Sequence, residues 1–113
     1  MFVTDCSNPL DLVFLVDDSS SIRQDDWPLV QTFLQSAART FTVSREATRI
    51  GIIRYASNAE VMYRFTSSQN TFSIEGAIRN IRHEGGSTNL AAALVLAYRD
   101  MFVQQQRVGA AKV

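Results

Sequence analysis

A chain of 113 residues, 46% hydrophobic and 19% charged, has the size and composition of one small globular domain, which excludes fibrous and disordered classes. Eleven Lys+Arg balance eleven Asp+Glu, so no basic field recruits nucleic acid and no acidic tail marks a solvating segment. The longest apolar runs, 12–16 and 90–97, fall short of the roughly 18 residues that a membrane-spanning helix needs.

In chain order, Met1 opens a stretch with neither the basic start nor the sustained apolar region of a secretory signal, so a secreted parent implies an internal piece. A single cysteine, Cys6, excludes an internal disulfide framework and any cysteine-rich zinc site. It is either a tolerated free thiol or a clamp to a partner beyond the chain end. Residues 12–16 (Leu-Val-Phe-Leu-Val) are continuously apolar, as suits a strand buried on both faces of a parallel sheet. Asp25 or Asp26 then caps a helix with Pro28 in its first turn, and Leu29, Val30, Phe33, Leu34, Ala37 and Phe41 recur at helical spacing as one apolar face.

Residues 49–55 predict a second strand and 61–65 a third, joined by a turn at 56–59 so short that the two pair antiparallel. Ile74, Ala77, Ile78 and Ile81 mark a short amphipathic helix that stops at Gly85-Gly86. From Thr88 a longer helix carries Leu90, Leu94, Ala97, Tyr98, Met101 and Phe102 on its buried side, and Lys112-Val113 opens another strand. Strands alternating with amphipathic helices predict an α/β fold: a doubly wound, mostly parallel sheet with one antiparallel edge strand. Three strands leave the far edge of a central first strand bare, so the fold unit is read as incomplete at its C-terminus. Truncation of a longer domain is the first explanation and a strand-exchanged dimer the second.

The chemistry concentrates in Asp17-Asp18-Ser19-Ser20-Ser21, at the carboxyl end of the first strand, where open α/β sheets bind ligands. A carboxylate followed at the second and fourth positions by hydroxyls can aim three oxygens at one point, a donor set for a hard cation. Four carboxylates, Asp17, Asp18, Asp25 and Asp26, crowd this stretch and favour a bound cation. The same residues also serve elsewhere as turn and helix caps. A second signal is Gly85-Gly86-Ser87-Thr88-Asn89, where glycines allow close backbone approach and Thr88 offers a further hydroxyl, unless Ser87 or Thr88 merely caps the helix.

Together, the Asp-x-Ser-x-Ser pattern at 17–21, the strand 49–55, the Gly-rich loop 85–89 and the closing 111–113 resemble the von Willebrand factor type A domain, in the family's order. The resemblance implies a Rossmann-like fold, of which residues 11–113 are a partial domain and residues 1–10 a flank containing Cys6. It also implies a metal-ion-dependent adhesion site (MIDAS) with ligands Asp17, Ser19, Ser21 and Thr88. The family's later Asp falls beyond Val113, and Leu90 stands where a second Thr is frequent. The cation implied is Mg²⁺, with Mn²⁺ or Ca²⁺ as alternatives. The partner implied is a protein presenting an Asp or Glu carboxylate, such as a matrix protein, in an extracellular setting where Cys6 pairs with a cysteine after the last helix.

Enzyme readings lack parts. No Asp between Asp26 and Asp100 supplies a phosphoacceptor, Ser19 stands where a phosphatase needs its second Asp, and no nucleotide-binding Gly motif is present. His83, the single histidine, reads as a surface or loop residue. The expectation is therefore a non-enzymatic, cation-dependent adhesion module, with no nucleic acid and no membrane insertion. The alternative is an intracellular, metal-independent scaffold domain of the same family.

Overall fold

The computed structural model describes residues 9–103 and 111–113; Cys6 lies outside them. Strands β1 (Leu10–Asp17), β2 (Thr48–Tyr55), β3 (Ala59–Tyr63) and β4 (Ala111–Lys112) form one sheet in the order β3-β2-β1-β4. β1 runs parallel to both β2 and β4, and β3 pairs antiparallel with β2 at the edge. This is the mostly parallel α/β sheet expected from the sequence, with the first strand inside it. Val113 extends the β4 pairing: its N–H donates to the Asp11 carbonyl at 2.7 Å and its carbonyl accepts from the Val13 N–H at 2.8 Å.

The period-two alternation of strands sorts side chains between two cores. Leu12 and Val16 of β1 and Ile50 and Ile52 of β2 face α1 (Trp27–Arg39) and α2 (Thr71–Arg79), meeting Trp27, Leu34, Ala38, Ile74 and Ile78. Val13 and Leu15 of β1 and Ile53 and Tyr55 of β2 face the other way. They meet Ala93 of α3 (Leu90–Leu96), and Ala97 and Met101 of the π-helical stretch Ala97–Val103 that continues it. Gly51 of β2 makes room for that stretch, since a Cβ there would lie 2.1 Å from Met101 Cε. Among the described residues no helix is long and apolar enough to cross a membrane.

The helical periodicity located the helices but rotated two of their buried faces. In α1 the core side runs through Trp27, Val30, Leu34 and Ala38, whereas Leu29 and Phe33 are 68% and 69% exposed. In α3 the core side is Ala93, Ala97 and Met101, with Leu90, Leu94 and Tyr98 outside. Small residues decide both cases, because Ala38 and Ala93 let a helix lie close to the sheet and the bulkier row turns outward. α2 ends at Arg79, well before the glycine pair. Gln31 Nε2 donates to the Ile78 and Arg79 carbonyls at its end and to the Ile81 carbonyl just beyond, which also accepts from Trp27 Nε1 at 3.0 Å. The predicted third strand begins two residues early and ends at Tyr63, leaving Phe65 buried beyond it.

Candidate functional site

Parallel pairing in register sets Asp17 beside Tyr55, so the loops leaving β1 and β2 emerge at the same end of the sheet. The Asp18 N–H donates to the Tyr55 carbonyl at 2.7 Å and fixes that junction. Residues 85–89 are bonded across both loops. Gly85 N–H donates to the Asp18 carbonyl at 3.1 Å, Ser20 N–H to the Gly86 carbonyl at 2.9 Å and Asn89 N–H to the Ala56 carbonyl at 2.8 Å. Ser20 Oγ accepts from Gly86 N–H at 2.8 Å, and Ser57 Oγ accepts from Ser87 N–H at 3.1 Å. Gly85 and Gly86 have φ of 87° and 118°, and a Cβ on either would press on Ser20 Oγ or Ser57 Oγ. Only glycine lets this loop settle onto its neighbours.

Within the first loop, Asp17 Oδ1 accepts from the Ser19 N–H at 2.8 Å, and the Ser19 and Ser21 hydroxyls lie 2.7 Å apart. Ser19 is buried, Asp17 is half-buried and Ser21 faces solvent. The geometry therefore brings the Ser19 and Ser21 hydroxyls together and ties the Ser19 backbone to Asp17. Thr88 sits on the docked loop at the same end of the sheet. Asn89, not Ser87 or Thr88, caps α3, accepting from Ala92 N–H at 3.1 Å, so the helix end makes no demand on the Thr88 hydroxyl. Two adjacent hydroxyls suit one hard cation, because cis ligands of an octahedral Mg²⁺ with bonds of 2.0–2.1 Å are about 2.9 Å apart. Among the described residues no group of three or more His, Cys, Asp or Glu is placed to hold a metal ion.

The four carboxylates of the sequence do not gather. Asp25 and Asp26 are exposed at the start of α1, where the Asp26 carboxylate makes no capping bond. Asp18, with a side chain only 2% exposed, turns inward to a set of partners that the sequence reading missed. Its Oδ1 lies 2.6 Å from His83 Nδ1 and accepts from Glu84 N–H at 3.0 Å, while Oδ2 accepts from Arg54 Nη1 at 3.3 Å. His83, placed in a loop as expected, is nonetheless buried, its side chain 4% exposed and stacked on Trp27 at 4.9 Å. Its hydrogen bond to Asp18 raises the His83 pKa; burial opposes the shift and the Ile22 carbonyl reinforces it. Arg54 also holds Glu60 at 2.6 Å and Glu84 at 3.1 Å, and these groups line a cleft of about 240 Å³ with Ser57 and Gly85. The available signal was Arg54 itself, a charge in a largely buried strand, which demands a carboxylate partner.

The chain matches the model of the von Willebrand factor type A domain over residues 11–113. It is 30% identical to Matrilin-3 of Gallus gallus over 103 residues, 90% of this chain and 23% of that protein. It is 32% identical to the Collagen alpha-6(VI) chain of Homo sapiens over 84 residues, 74% of this chain and 4% of that one. Among solved structures it is similar to proximal thread matrix protein 1 from the mussel byssus, with a TM-score of 0.82 at 25% identity over 90% of this chain and 28% of that chain. A second structure of that byssal protein, similar in fold with a TM-score of 0.84 at 23% identity over 92% of this chain and 28% of that one, has zinc in its MIDAS motif. The chain spans less than a third of the length of each of these proteins.

Proposed function

Because the chain belongs to the von Willebrand factor type A family, we propose that it is a divalent-cation-dependent protein-binding module. In this reading the ion bridges to an Asp or Glu of the ligand. As a member of this family the chain is a binding domain and not an enzyme. The observation that carries the reading is the pair of hydroxyls, Ser19 and Ser21, 2.7 Å apart beside Asp17 and next to the docked glycine loop that bears Thr88. Ser19, Ser21 and Thr88 would hold the cation through neutral oxygens, with Asp17 as the one carboxylate of the set.

A cation bound there supplies positive charge that its ligands leave largely uncompensated, and so an attraction for a partner's carboxylate. The chain's own residues do the rest. Ser20, Gly85 and Gly86 lock the two loops together, and Asp18 is kept from joining the ligand set by Arg54 and His83. Removing that second carboxylate from the cation's surroundings preserves its charge for the ligand. A byssal protein of the same fold with zinc in its MIDAS motif supports a metal at this position. Mg²⁺ is the cation we assign, since oxygen-only donors favour it over zinc. Similarity to a collagen chain and a thread matrix protein supports an extracellular matrix setting, in which Cys6 takes part in a disulfide.

Calorimetric titration of the full chain with Mg²⁺ or Mn²⁺ tests the site. Saturable binding that falls by about tenfold or more in Ser19→Ala upholds it. Binding that survives both Ser19→Ala and Ser21→Ala, or no binding by the wild type, overturns it.

A further inference from the structure

We propose that His83 and Asp18 are positioning residues for the 17–21 loop, a single imidazole clamping both of its ends and tying it to the loop that carries Thr88. The inference rests on the reading above that Asp17, Ser19, Ser21 and Thr88 hold a cation. His83 Nδ1 meets Asp18 Oδ1 at 2.6 Å and Nε2 meets the Ile22 carbonyl at 2.5 Å. Asp18 stands at the start of the loop and Ile22 directly follows Ser21, so the ring spans the segment that presents both serines. Both partners are acceptors. A neutral imidazole has one N–H and can satisfy one of them; the imidazolium satisfies both.

The ring cannot swing away, because it lies nearly parallel to Trp27 at an interplanar angle of 14°, and Trp27 is held by its own bond to the Ile81 carbonyl. The Glu84 N–H shares Asp18 Oδ1 with the ring, and Arg54 on Oδ2 completes the carboxylate's partners. Two residues after His83, Gly85 N–H bonds the Asp18 carbonyl, so the same pair sets where the Gly85-Gly86 turn meets the serine loop. Ser19 and Ser21 are thus held at one spacing by groups that do not themselves belong to the proposed ligand set.

The test compares the wild-type chain, His83→Gln, Asp18→Asn and the double variant, with Ile78→Val as a control for a general loss of stability. In metal-free protein, His83→Gln is expected to lower amide-exchange protection of Ser20, Gly85 and Gly86 by about tenfold while Ile52 in β2 keeps its protection. Mn²⁺ affinity is expected to fall by about tenfold, with Asp18→Asn adding little on top of His83→Gln. Unchanged protection in His83→Gln, or equal effects in Ile78→Val, overturns the proposal. A readout needing no variant is the ¹⁵N titration of the ring: the second ring proton is expected to be held to higher pH than in the unfolded chain, and its loss at or below the pH at which the unfolded chain loses it overturns the proposal. If exchange responds as expected but wild type binds no Mn²⁺, the clamp stands and the cation reading falls.

Discussion

A histidine between a carboxylate and a carbonyl binds its proton more tightly in the folded chain than in the unfolded one, and this has a sign in pH. The His83 pKa is raised, first by its bond to Asp18. Its contribution to stability is therefore complete below the unfolded value of about 6.5 and is lost as pH rises through the higher native value. Urea unfolding at successive pH values should show wild type losing stability as pH rises above about 6.5 by an increment that His83→Gln lacks. At this scale the loop serines were legible, since residues two apart in a curling loop share a side. Asp18 was not, because a carboxylate reads as exposed until partners 36 and 65 residues away, Arg54 and His83, are brought to it.

Several elements are completed by side-chain amides. β3 leaves β2 at Tyr63, opposite Ile52, and beyond that point Gln69 replaces it. Gln69 Oε1 accepts from Ile50 N–H at 2.7 Å, and Nε2 donates to the Ile50 carbonyl at 3.0 Å, so one side chain continues the ladder as a strand residue would. Gln69→Ala orphans two buried backbone groups and should cost about 2–3 kcal/mol, read as a lower urea midpoint with unchanged slope. Gln31 does comparable work at the end of α2. Periodicity reports where a helix is and that it has a core side. Which row of that side wins depends on a neighbour's shape, so Ala38 and Ala93 displaced Phe33 and Leu94. A glutamine that finishes a sheet has no local signature, and neither Gln69 nor Gln31 could have been found from sequence.

The architecture of the whole molecule was the most legible feature, because alternating apolar strands and amphipathic helices admit few arrangements. Its strand order is also written in charge. Asp11, fully buried in β1, receives Arg49 of β2 through two bonds at 2.9 and 3.0 Å, and Lys112 of β4 at 3.0 Å. One carboxylate thus joins three adjacent strands. Asp11→Ala leaves two cations facing each other in a partly buried space and should destabilise the chain by about 3–5 kcal/mol, measured by chemical denaturation. Lys112→Met should cost much less, since it removes the more exposed of the two partners.

The same contact sets a timetable for biosynthesis. Lys112 follows Asp11 by 101 residues, and at ribosomal speeds of up to about 20 residues per second some five seconds separate the two. β1 finds β2 earlier, yet its β4 flank stays bare, with main-chain donors and acceptors exposed, until nearly the whole of this sequence has been made. During that interval the strand destined for the interior of the sheet is an adhesive edge in a nascent chain, and whatever shields it then governs the yield of folded protein.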